Sequence, residues 1–445
     1  MMNSVNIIGA GLAGSEAALY LAKSGIEINL YDMKPNTRSP AHSLDTFCEL
    51  VCNNSLCNAE SHTPHNLLYC ELGLLGSEVV KLIEQTRIQD SVSVAVDKRY
   101  LSQLVTEAIR SNDRIHVFEQ EVVEIPDDRP TIMATGPITG SRLLSAIKKR
   151  FPNMTQVEDA NSIVLSFDSI DKSKMEIISD DVFYIHLNKE EYRSLEKALR
   201  NAKISIPHNP VDNFDIMHCQ TVEVLAKNPG LLAELKLEPM RHDAAATIVL
   251  RKDDKLSNSV VISEFTTRMI KTAQEAIIHS IHGLESAQFV RYGQHHYNTF
   301  VDAPRILNNH YEVIGDNGLY IVGQLAGIDG YLSAISSANV AARSIVAKLK
   351  GVEPVPLKSI TMTGALSKYV STPSSLAYKP TIPLFELIST KKEPNKKYEE
   401  AIQAMKRFVG ESPKIIGKGL PHLWTNVKLR ISAKSIAIAS SVYKA

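Results

Sequence analysis

The run Gly9-Ala10-Gly11-Leu12-Ala13-Gly14 predicts the fold of this chain because of the segments that flank it. Val5 to Ile8 is typical of a short buried strand, and Leu12 to Ser24 carries apolar residues at helical spacing. A second strand, Ile26 to Leu30, leads to Asp32. Glycines between a strand and a helix form a tight turn and let a pyrophosphate approach the backbone, and an acid at the end of the next strand binds a ribose. The context therefore predicts a βαβ unit that binds a dinucleotide.

Two later segments predict that the same domain is completed by distant parts of the chain. Thr131 to Ala134 resembles a strand and continues into Thr135-Gly136-Pro137, and an apolar strand followed by Ala-Thr-Gly is typical of two-dinucleotide-type flavoproteins. Gly318 to Gln324 is another apolar strand, which leads into the glycine-containing run Gly327 to Tyr331 and a helix of small residues, Ser333 to Lys350. Because a plain NAD dehydrogenase needs only the first unit, these segments together favour FAD.

The predicted cofactor-binding residues belong to these three segments, together with the acid after the second strand. They are Gly9, Ala10, Gly11, Leu12, Ala13, Gly14, Asp32, Ala134, Thr135, Gly136, Gly323, Gln324, Gly327, Gly330 and Tyr331.

The middle of the chain has a different pattern. Short strand-like runs alternate there with amphipathic helical segments such as Lys189 to Ala202, without a glycine-rich turn. The predicted fold class is therefore α/β, with a discontinuous, FAD-binding, Rossmann-like domain of the two-dinucleotide type and an inserted α+β domain. The predicted boundaries are 1–155 for the first part of the FAD-binding domain, 156–290 for the insertion, 291–362 for the second part and 363–445 for a C-terminal helical segment. Within that last segment, we expect a solvated turn at Lys391 to Lys397 between two helices.

Composition and charge narrow the function classes. The chain has 445 residues, more than one ordinary core accommodates, and it is 44% hydrophobic and 22% charged, as is typical of globular proteins. Lys plus Arg and Asp plus Glu each number 49, so the net charge neither supports nor excludes a nucleic-acid partner. No run approaches the ~20 apolar residues of a membrane span, and no secretory signal is recognisable. We expect a cytoplasmic protein without a membrane partner, and the sequence leaves its oligomeric state open.

Five cysteines are candidates for chemistry or metal binding: Cys48, Cys52, Cys57, Cys70 and Cys219. In a cytosolic chain we expect thiols rather than disulfides, and the spacing matches no zinc motif, so no metal site is predicted. Cys52 follows the second strand, at the sheet edge where doubly wound folds bind ligands. Cys219 precedes a predicted helix, whose N-terminal dipole favours a thiolate. A structural role stays open for each, because free cysteine is among the most buried residue types.

At these residues the chain resembles the TrmFO family, the folate- and FAD-dependent tRNA (uracil-5-)-methyltransferases. The similarity extends nearly from end to end, and its cysteine and Arg-Tyr-Gly motifs are the specific ones. The matching segments are Gly9 to Ala18, Glu49 to Ser55, Ala95 to Asp97, Ala134 to Pro137, Cys219 with Glu223 and Ala226, Val290 to Gly293 with His296 and Asn298, and Gly323 to Tyr331.

The resemblance implies an enzyme that methylates uracil C5 in RNA, at a T-loop uridine of tRNA. The implied one-carbon donor is 5,10-methylenetetrahydrofolate, and the implied reductant is FAD that NADH or NADPH reloads. By the same resemblance, Cys219 is the nucleophile at uracil C6, since a thiolate added there makes C5 nucleophilic. Cys52 is then its catalytic partner near the flavin. The implied substrate-binding residues are Arg291, His296, Asn298 and Arg241.

Departures from the family pattern keep alternatives open. Leu56-Cys57-Asn58 replaces Leu-Arg-Ser, and Glu238 to His242 replaces Gly-Pro-Met-Lys-Pro, so that Arg241 stands where the family has a lysine. These changes remove or alter cations that would contact folate or RNA. The alternatives are a divergent paralog with the same chemistry on large-subunit ribosomal RNA, a flavin-dependent NAD(P)H oxidoreductase, and a non-catalytic RNA-binding flavoprotein.

Overall fold

The computed structural model describes residues 4–39, 41–58, 63–88, 93–205, 221–254, 258–316, 318–374, 378–379 and 394–411. One compact unit comprises residues 1–409, and a second unit comprises residues 410–445, of which only the first two are described. None of the helices in the described ranges combines the length and the apolar composition that a membrane crossing requires.

The described strands are β1 (Ser4–Ile8), β2 (Glu27–Asp32), β3 (Ser55–Asn58), β4 (Ser93–Ala95), β5 (Ile115–Glu119), β6 (Thr131–Met133), β7 (Met154–Ala160), β8 (Ser162–Ser166), β9 (Glu176–Ile177), β10 (Val182–Leu187), β11 (Ala246–Asp254), β12 (Ser259–Thr266), β13 (Phe289–Arg291), β14 (His295–Val301) and β15 (Leu319–Ile321). The described α-helices are α1 (Leu12–Lys23), α2 (Pro64–Leu75), α3 (Glu78–Gln85), α4 (Lys98–Arg110), α5 (Ser141–Arg150), α6 (Lys189–Arg200), α7 (Val222–Leu225), α8 (Leu231–Leu235), α9 (Lys271–Ile278), α10 (Ala303–Ile306), α11 (Tyr331–Leu349), α12 (Met362–Ser371) and α13 (Pro394–Glu411). Three short 3₁₀ segments are Phe167–Ser169, Lys172–Lys174 and Gly323–Ala326.

A five-stranded parallel sheet forms the core of the predicted cofactor domain. Its strand order is β15-β6-β1-β2-β5, with β1 in the middle, and its paired strands are all parallel. Strands from both halves of the chain therefore share one sheet, because β15 pairs with β6. This arrangement confirms the predicted α/β fold class with a discontinuous Rossmann-like domain.

The helices on this sheet are joined by a buried carboxyl group. Glu16 of α1 is fully buried, and its Oε2 accepts hydrogen bonds from the Ser77 hydroxyl at 2.8 Å and the Val79 N–H at 3.0 Å. Its Oε1 accepts from the Asn339 amide of α11 at 2.7 Å. Burial raises the pKa of Glu16, and the three donors oppose that rise. Glu16 thus connects α1 with α3 and with α11.

A second, antiparallel sheet occupies the predicted insertion. Its six strands run in the order β13-β8-β12-β11-β10-β9, and the helices that pack on it include α6 and α9. A two-stranded ribbon pairs β7 with β14. In the sequence, β7 directly precedes the six strands of this sheet and β14 directly follows them. The α+β character agrees with the prediction, while the domain boundaries remain predictions.

The C-terminal part departs from its prediction at one point. The two helices α12 and α13 are present, but α13 already begins at Pro394, so the expected turn at Lys391 to Lys397 is wrong from that residue onward. Residues 391–393 lie outside the described ranges. A proline favours the first helical turn because the N–H that it lacks would have no partner there, and the charged residues after it are compatible with an exposed helix face.

A buried carboxyl group of α2 holds the beginning of α12. Glu71 is fully buried, and its two oxygens accept the N–H groups of Met362 and Thr363, each at 2.8 Å, and the Thr363 hydroxyl at 2.8 Å. These N–H groups lie in the first helical turn, which has no acceptors of its own. Burial raises the pKa of Glu71 to about 7, although these hydrogen bonds favour its ionised form.

This raised pKa predicts a pH-dependent stability. The folded state holds the Glu71 proton more tightly than the unfolded chain, so the favourable contribution is complete below pH 4.5 and is lost as the pH rises through 7. A pKa difference of this size corresponds to roughly 3 kcal/mol. Urea unfolding between pH 4.5 and 8 should show the stability of the wild type falling relative to Glu71→Gln, which cannot titrate. A constant difference between the two proteins across this range would contradict the assignment.

Candidate cofactor and active site

A cavity of about 390 Å³ opens at the carboxyl ends of the parallel strands. All three predicted cofactor segments contribute to its wall, as expected for a ligand site in a doubly wound fold. The predicted residues that line it are Gly9, Gly11, Leu12, Ala13, Asp32, Ala134, Thr135, Gly136, Gly323, Gln324, Gly330 and Tyr331. Ala10, Gly14 and Gly327 do not line it. Contact of any of these residues with a cofactor stays a prediction.

Two helix N-termini meet at this cavity. Helix α1 begins after Gly11 and α11 begins after Gly330, and neither start is capped by a side chain. Their first-turn residues, including Ala13 and Ser333, line the cavity wall. The backbone N–H groups of a first helical turn have no partner within the helix, and the helix dipole adds positive potential there. The arrangement suits an anion such as a pyrophosphate.

Asp32 has a structural task besides the predicted one. Its Oδ2 accepts the Ala10 N–H at 2.7 Å, and its Oδ1 accepts the Lys34 N–H at 2.9 Å. The carboxylate therefore fixes the glycine turn against the end of β2. A carboxylate has about four acceptor positions, so Asp32, which also lines the cavity, can still accept from a ribose hydroxyl.

The space around the glycines fits a bound dinucleotide. A Cβ at Gly14 would lie 1.8 Å from the Gly9 carbonyl oxygen, whereas a Cβ at Gly11 would meet nothing within 4 Å. Gly14 is therefore needed for packing, and Gly11 leaves room open in the cavity wall. Nearby, the side-chain nitrogen of Gln324 is buried without a hydrogen-bond partner among the described residues. A ligand acceptor in the cavity would satisfy it.

Cys52 lies in the wall of the same cavity, on a loop that two distant residues hold. The Tyr331 hydroxyl accepts the N–H groups of Cys52 at 2.8 Å and Asn53 at 3.2 Å, and lies 3.1 Å from the Asn53 carbonyl, to which it donates. The Arg291 guanidinium donates to the carbonyl oxygens of Val51 at 3.3 Å and Cys52 at 3.1 Å. Helix α11 and strand β13 thus position the loop together. The sequence predicted both residues as ligand contacts and did not reveal this role.

Cys52 is less buried than Cys48 and Cys57, the cysteines nearest to it in the sequence. Cys48 and Cys57 are both buried, and burial raises the pKa of each thiol to about 12, so both stay neutral and unreactive near pH 7. Cys70 is half-buried in α2, where the Tyr398 hydroxyl lies 3.1 Å from its sulfur. Of the cysteines that the structure describes, Cys52 alone lines the cavity.

The remaining predicted site residues are Cys219 and the folate or RNA contacts. Cys219 falls in residues 206–220, outside the described ranges. Asn298 of β14 is buried and lines the cavity, and His296 lies two residues before it in the same strand. Arg241 does not line the cavity; it forms ion pairs with Asp243 at 2.5 Å and Glu176 at 3.9 Å. Both ion pairs are exposed to solvent, and the role of Arg241 as a substrate contact stays a prediction.

Sequence reasoning missed several titratable residues in the cavity wall, among them His65 and Asp329. His65 lies in the first turn of α2, and Asp329 lies just before α11. Burial lowers the pKa of His65, and the negative charge of Asp329 opposes that shift. Asp329 could have been found because it lies inside the run Gly327 to Tyr331, but no motif surrounds His65. No cluster of three or more His, Cys, Asp or Glu that could hold a metal occurs in the described part of the chain.

Comparisons with known proteins agree with this geometry. The family model GidA, described as glucose inhibited division protein A, matches residues 4–353. A protein of Acetivibrio thermocellus named methylenetetrahydrofolate–tRNA-(uracil-5-)-methyltransferase TrmFO is 33% identical over 432 residues, which are 91% of this chain and 98% of that protein. A protein of the same name from Thermus thermophilus is 34% identical over 395 residues, 85% of this chain and 88% of that one. This chain belongs to the GidA/TrmFO family.

The resemblance inferred from the motifs is therefore confirmed. A solved structure of Aquifex aeolicus GidA matches the fold with a TM-score of 0.70 at 19% identity, covering 92% of this chain and 73% of that one. At this identity the match supports the fold.

Gly11 and Gly14 differ in the space beside them, so alanine at each position is expected to have a different effect. Gly11→Ala should fold with a stability within roughly 1 kcal/mol of the wild type, because the backbone there suits alanine and the added methyl group meets nothing. It should nevertheless lose most of its bound FAD, since the methyl group enters the space where a pyrophosphate approaches the backbone. Gly14→Ala should lose more than roughly 3 kcal/mol or fail to fold. Flavin absorbance and thermal unfolding measure both effects, and full FAD content in Gly11→Ala would contradict this reading of the turn.

The hydrogen bonds between the Tyr331 hydroxyl and the Cys52 loop predict that the Cys52 thiol becomes more accessible when this hydroxyl is removed. Tyr331→Phe removes the group that both accepts and donates at the loop backbone, so the loop should open more often. We expect Cys52 to react with iodoacetamide roughly three- to tenfold faster, measured by mass spectrometry of its peptide. Tyr192→Phe is the matched control, because the Tyr192 hydroxyl likewise accepts a backbone N–H, that of Ala233 at 3.2 Å, but does not line the cavity. Equal rates in Tyr331→Phe and the wild type would show that the hydroxyl does not hold the loop.

Proposed function

We propose that this chain is an FAD-dependent tRNA (uracil-5-)-methyltransferase that uses 5,10-methylenetetrahydrofolate as its one-carbon donor. The observation that carries the proposal is the position of Cys52, a residue that shares one cavity wall with the predicted dinucleotide-binding turns. The names of relatives that match most of this chain support tRNA and methylenetetrahydrofolate as substrates. Neither a plain oxidase nor a simple flavin carrier requires a thiol held in this place.

The chain's own residues bind and orient in this proposal. The N-termini of α1 and α11 stabilise the negative charge of the pyrophosphate, and Asp32 accepts from a ribose hydroxyl. FAD, when bound, supplies the reducing equivalents that convert a transferred methylene group into a methyl group. Asn298 faces the same cavity and can bind folate or the base through its amide. His296 belongs to this substrate set by family resemblance.

The nucleophile in this proposal is Cys219. Its thiolate attacks uracil C6, forming a carbon–sulfur bond while the C5–C6 π pair moves onto the C4 carbonyl as an enolate. C5 then attacks the methylene carbon of the folate, and one of its two carbon–nitrogen bonds breaks with the electron pair going to that nitrogen. Cys52, as a thiolate, takes the proton from C5, and the electron pair left on C5 expels the second folate nitrogen, which leaves a methylene group double-bonded to C5. Reducing equivalents that FAD would supply convert this methylene to a methyl group, and elimination of the Cys219 sulfur then restores the C5–C6 double bond.

Residues that follow Cys219 in the sequence are connected to the cavity wall by polar contacts. The Glu223 carboxylate accepts the Thr267 hydroxyl at 3.0 Å. The Thr267 N–H in turn donates to the Asn161 carbonyl at 3.4 Å, and Asn161 lines the cavity. A few contacts therefore connect the segment after Cys219 to the cavity wall.

The finer parts of the proposal concern the reductant and the RNA site. NADH or NADPH reloads the flavin, and the methylated base is a T-loop uridine of tRNA. Both rest on resemblance to the family. The same chemistry on large-subunit ribosomal RNA is an outcome that the assay below distinguishes.

Tritium release from RNA labelled at uracil C5 tests the proposal directly. With FAD-loaded protein, methylenetetrahydrofolate and NADPH, the wild type should release tritium from tRNA. Cys219→Ala should reduce release by more than roughly 10³-fold, because no covalent activation of C5 remains. Cys52→Ala should reduce it by roughly 10² to 10⁴-fold, as expected for loss of a proton acceptor. Cys70→Ser is the matched control and should retain activity, because Cys70 lies outside the cavity wall.

Three outcomes would change the conclusion. Release from ribosomal RNA fragments but not from tRNA would replace the RNA substrate. Fast NADPH oxidation that does not depend on folate or RNA, without tritium release, would favour a flavin oxidoreductase. FAD and RNA binding without any release from either RNA would indicate a non-catalytic flavoprotein.

A further inference from the structure

The turn that carries two cavity-lining residues rests against a tyrosine from the C-terminal part of the chain. We call residues 323–327 the cofactor turn. Gly323 and Gln324 line the cavity, whereas Gly327 at the other end does not. The Ser337 hydroxyl of α11 accepts the Gly323 N–H at 2.9 Å, which holds the beginning of the turn. The end of the turn is held differently.

Gly327 has no room for a side chain, and the obstacle is Tyr378. Gly327 adopts a φ of +71°, and a Cβ there would lie 2.6 Å from Tyr378 Cε1 and 2.7 Å from its hydroxyl oxygen. The same hydroxyl donates to the Ala326 carbonyl at 2.8 Å. The ring therefore occupies the space beside the glycine, and the hydroxyl binds the residue before it.

Tyr378 is itself fixed by its neighbours. Its ring packs edge to face on Phe300, with centroids 5.8 Å apart, and against Tyr369 at 5.6 Å. The Tyr369 hydroxyl donates to the Lys379 carbonyl at 2.5 Å, which holds the adjacent backbone. Burial raises the pKa of Tyr378 well above its usual range, so the hydroxyl keeps its proton and remains a donor. Phe300 also belongs to β14, the strand of Asn298.

We propose that Tyr378 is a positioning residue for the cofactor, because it holds the cofactor turn so that Gly323 and Gln324 keep their places in the cavity wall. The proposal rests on FAD binding in the proposed function. In this proposal, the Tyr378 ring packs against Gly327, and Gly327 does not contact the cofactor. The glycine pattern in the sequence has a packing cause at this position and a ligand-related cause at Gly11.

Single substitutions in the FAD-loaded protein test this role. Tyr378→Phe deletes only the hydroxyl and should raise the rate of FAD release roughly five- to tenfold, with a change in the visible flavin spectrum. Gly327→Ala should raise it further, because its methyl group displaces the ring. Gly351→Ala is the matched control: Gly351 has a φ of +70° and a Cβ there meets nothing within 4 Å, so it shares the backbone strain without the contact. FAD release from this control should stay within roughly twofold of the wild type.

A double variant separates the contact from general damage. Tyr378→Leu removes the ring that a methyl group at Gly327 would strike, so Gly327→Ala with Tyr378→Leu should release FAD more slowly than Gly327→Ala alone. Unchanged release in Tyr378→Phe, or a double variant that is no slower than Gly327→Ala, overturns the proposal.

The release measurements also keep this inference distinct from the proposed reaction. If FAD is bound and Tyr378→Phe releases it faster while the wild type gives no tritium release, the methyltransferase proposal fails and the role of Tyr378 stands. A wild-type protein that does not bind FAD overturns both.

Discussion

The close approach of Gly14 to the carbonyl of Gly9 is the constraint on which the rest of the structure depends. With only 1.8 Å available for a Cβ, helix α1 lies directly against the end of β1, and its first turn faces the cavity. Asp32 then fixes the turn through the Ala10 N–H. Glu16 of α1 accepts a hydrogen bond from Asn339 of α11, which joins the two helices inside the packed layer. The N-termini of both helices lie at one cavity, where each reinforces the potential of the other.

The placement of the thiol depends on polar contacts between parts of the chain that are remote in sequence. Arg291 reaches the Cys52 loop from the antiparallel sheet, and Tyr331 reaches it from the first turn of α11. Both bind backbone atoms, so they orient the loop through its main chain. A reactive group on a loop is placed accurately only when such supporting contacts limit its motion. The inserted sheet thereby contributes to the chemistry of a cavity that lies at the edge of the other sheet.

Local patterns predicted the elements that local physics controls. The buried strand predicted for Val5 to Ile8, the glycines after it and the helix predicted for Leu12 to Ser24 agree with the structure to within one residue, because turn geometry and helical periodicity are short-range properties. The late strand and the helix predicted for Ser333 to Lys350 agree for the same reason, although the helix already begins at Tyr331 and ends at Leu349. The beginning of α13 at Pro394 was missed because a cluster of lysines suggested a solvated turn, although charged residues are also compatible with an exposed helix face.

The sequence by itself determined that the chain forms a discontinuous dinucleotide-binding domain with an insertion, and its motifs identified the family, because glycine spacing and family signatures are carried by residues close together in the chain. Only the tertiary structure decided which of the neighbouring cysteines Cys48, Cys52 and Cys57 reaches the cavity, and that Tyr331 and Arg291 hold its loop. It also decided that Gly327 makes room for Tyr378 and that Arg241 forms ion pairs with Asp243 and Glu176 and does not line the cavity. Burial and pairing of this kind arise from contacts between residues far apart in sequence, so no local pattern encodes them.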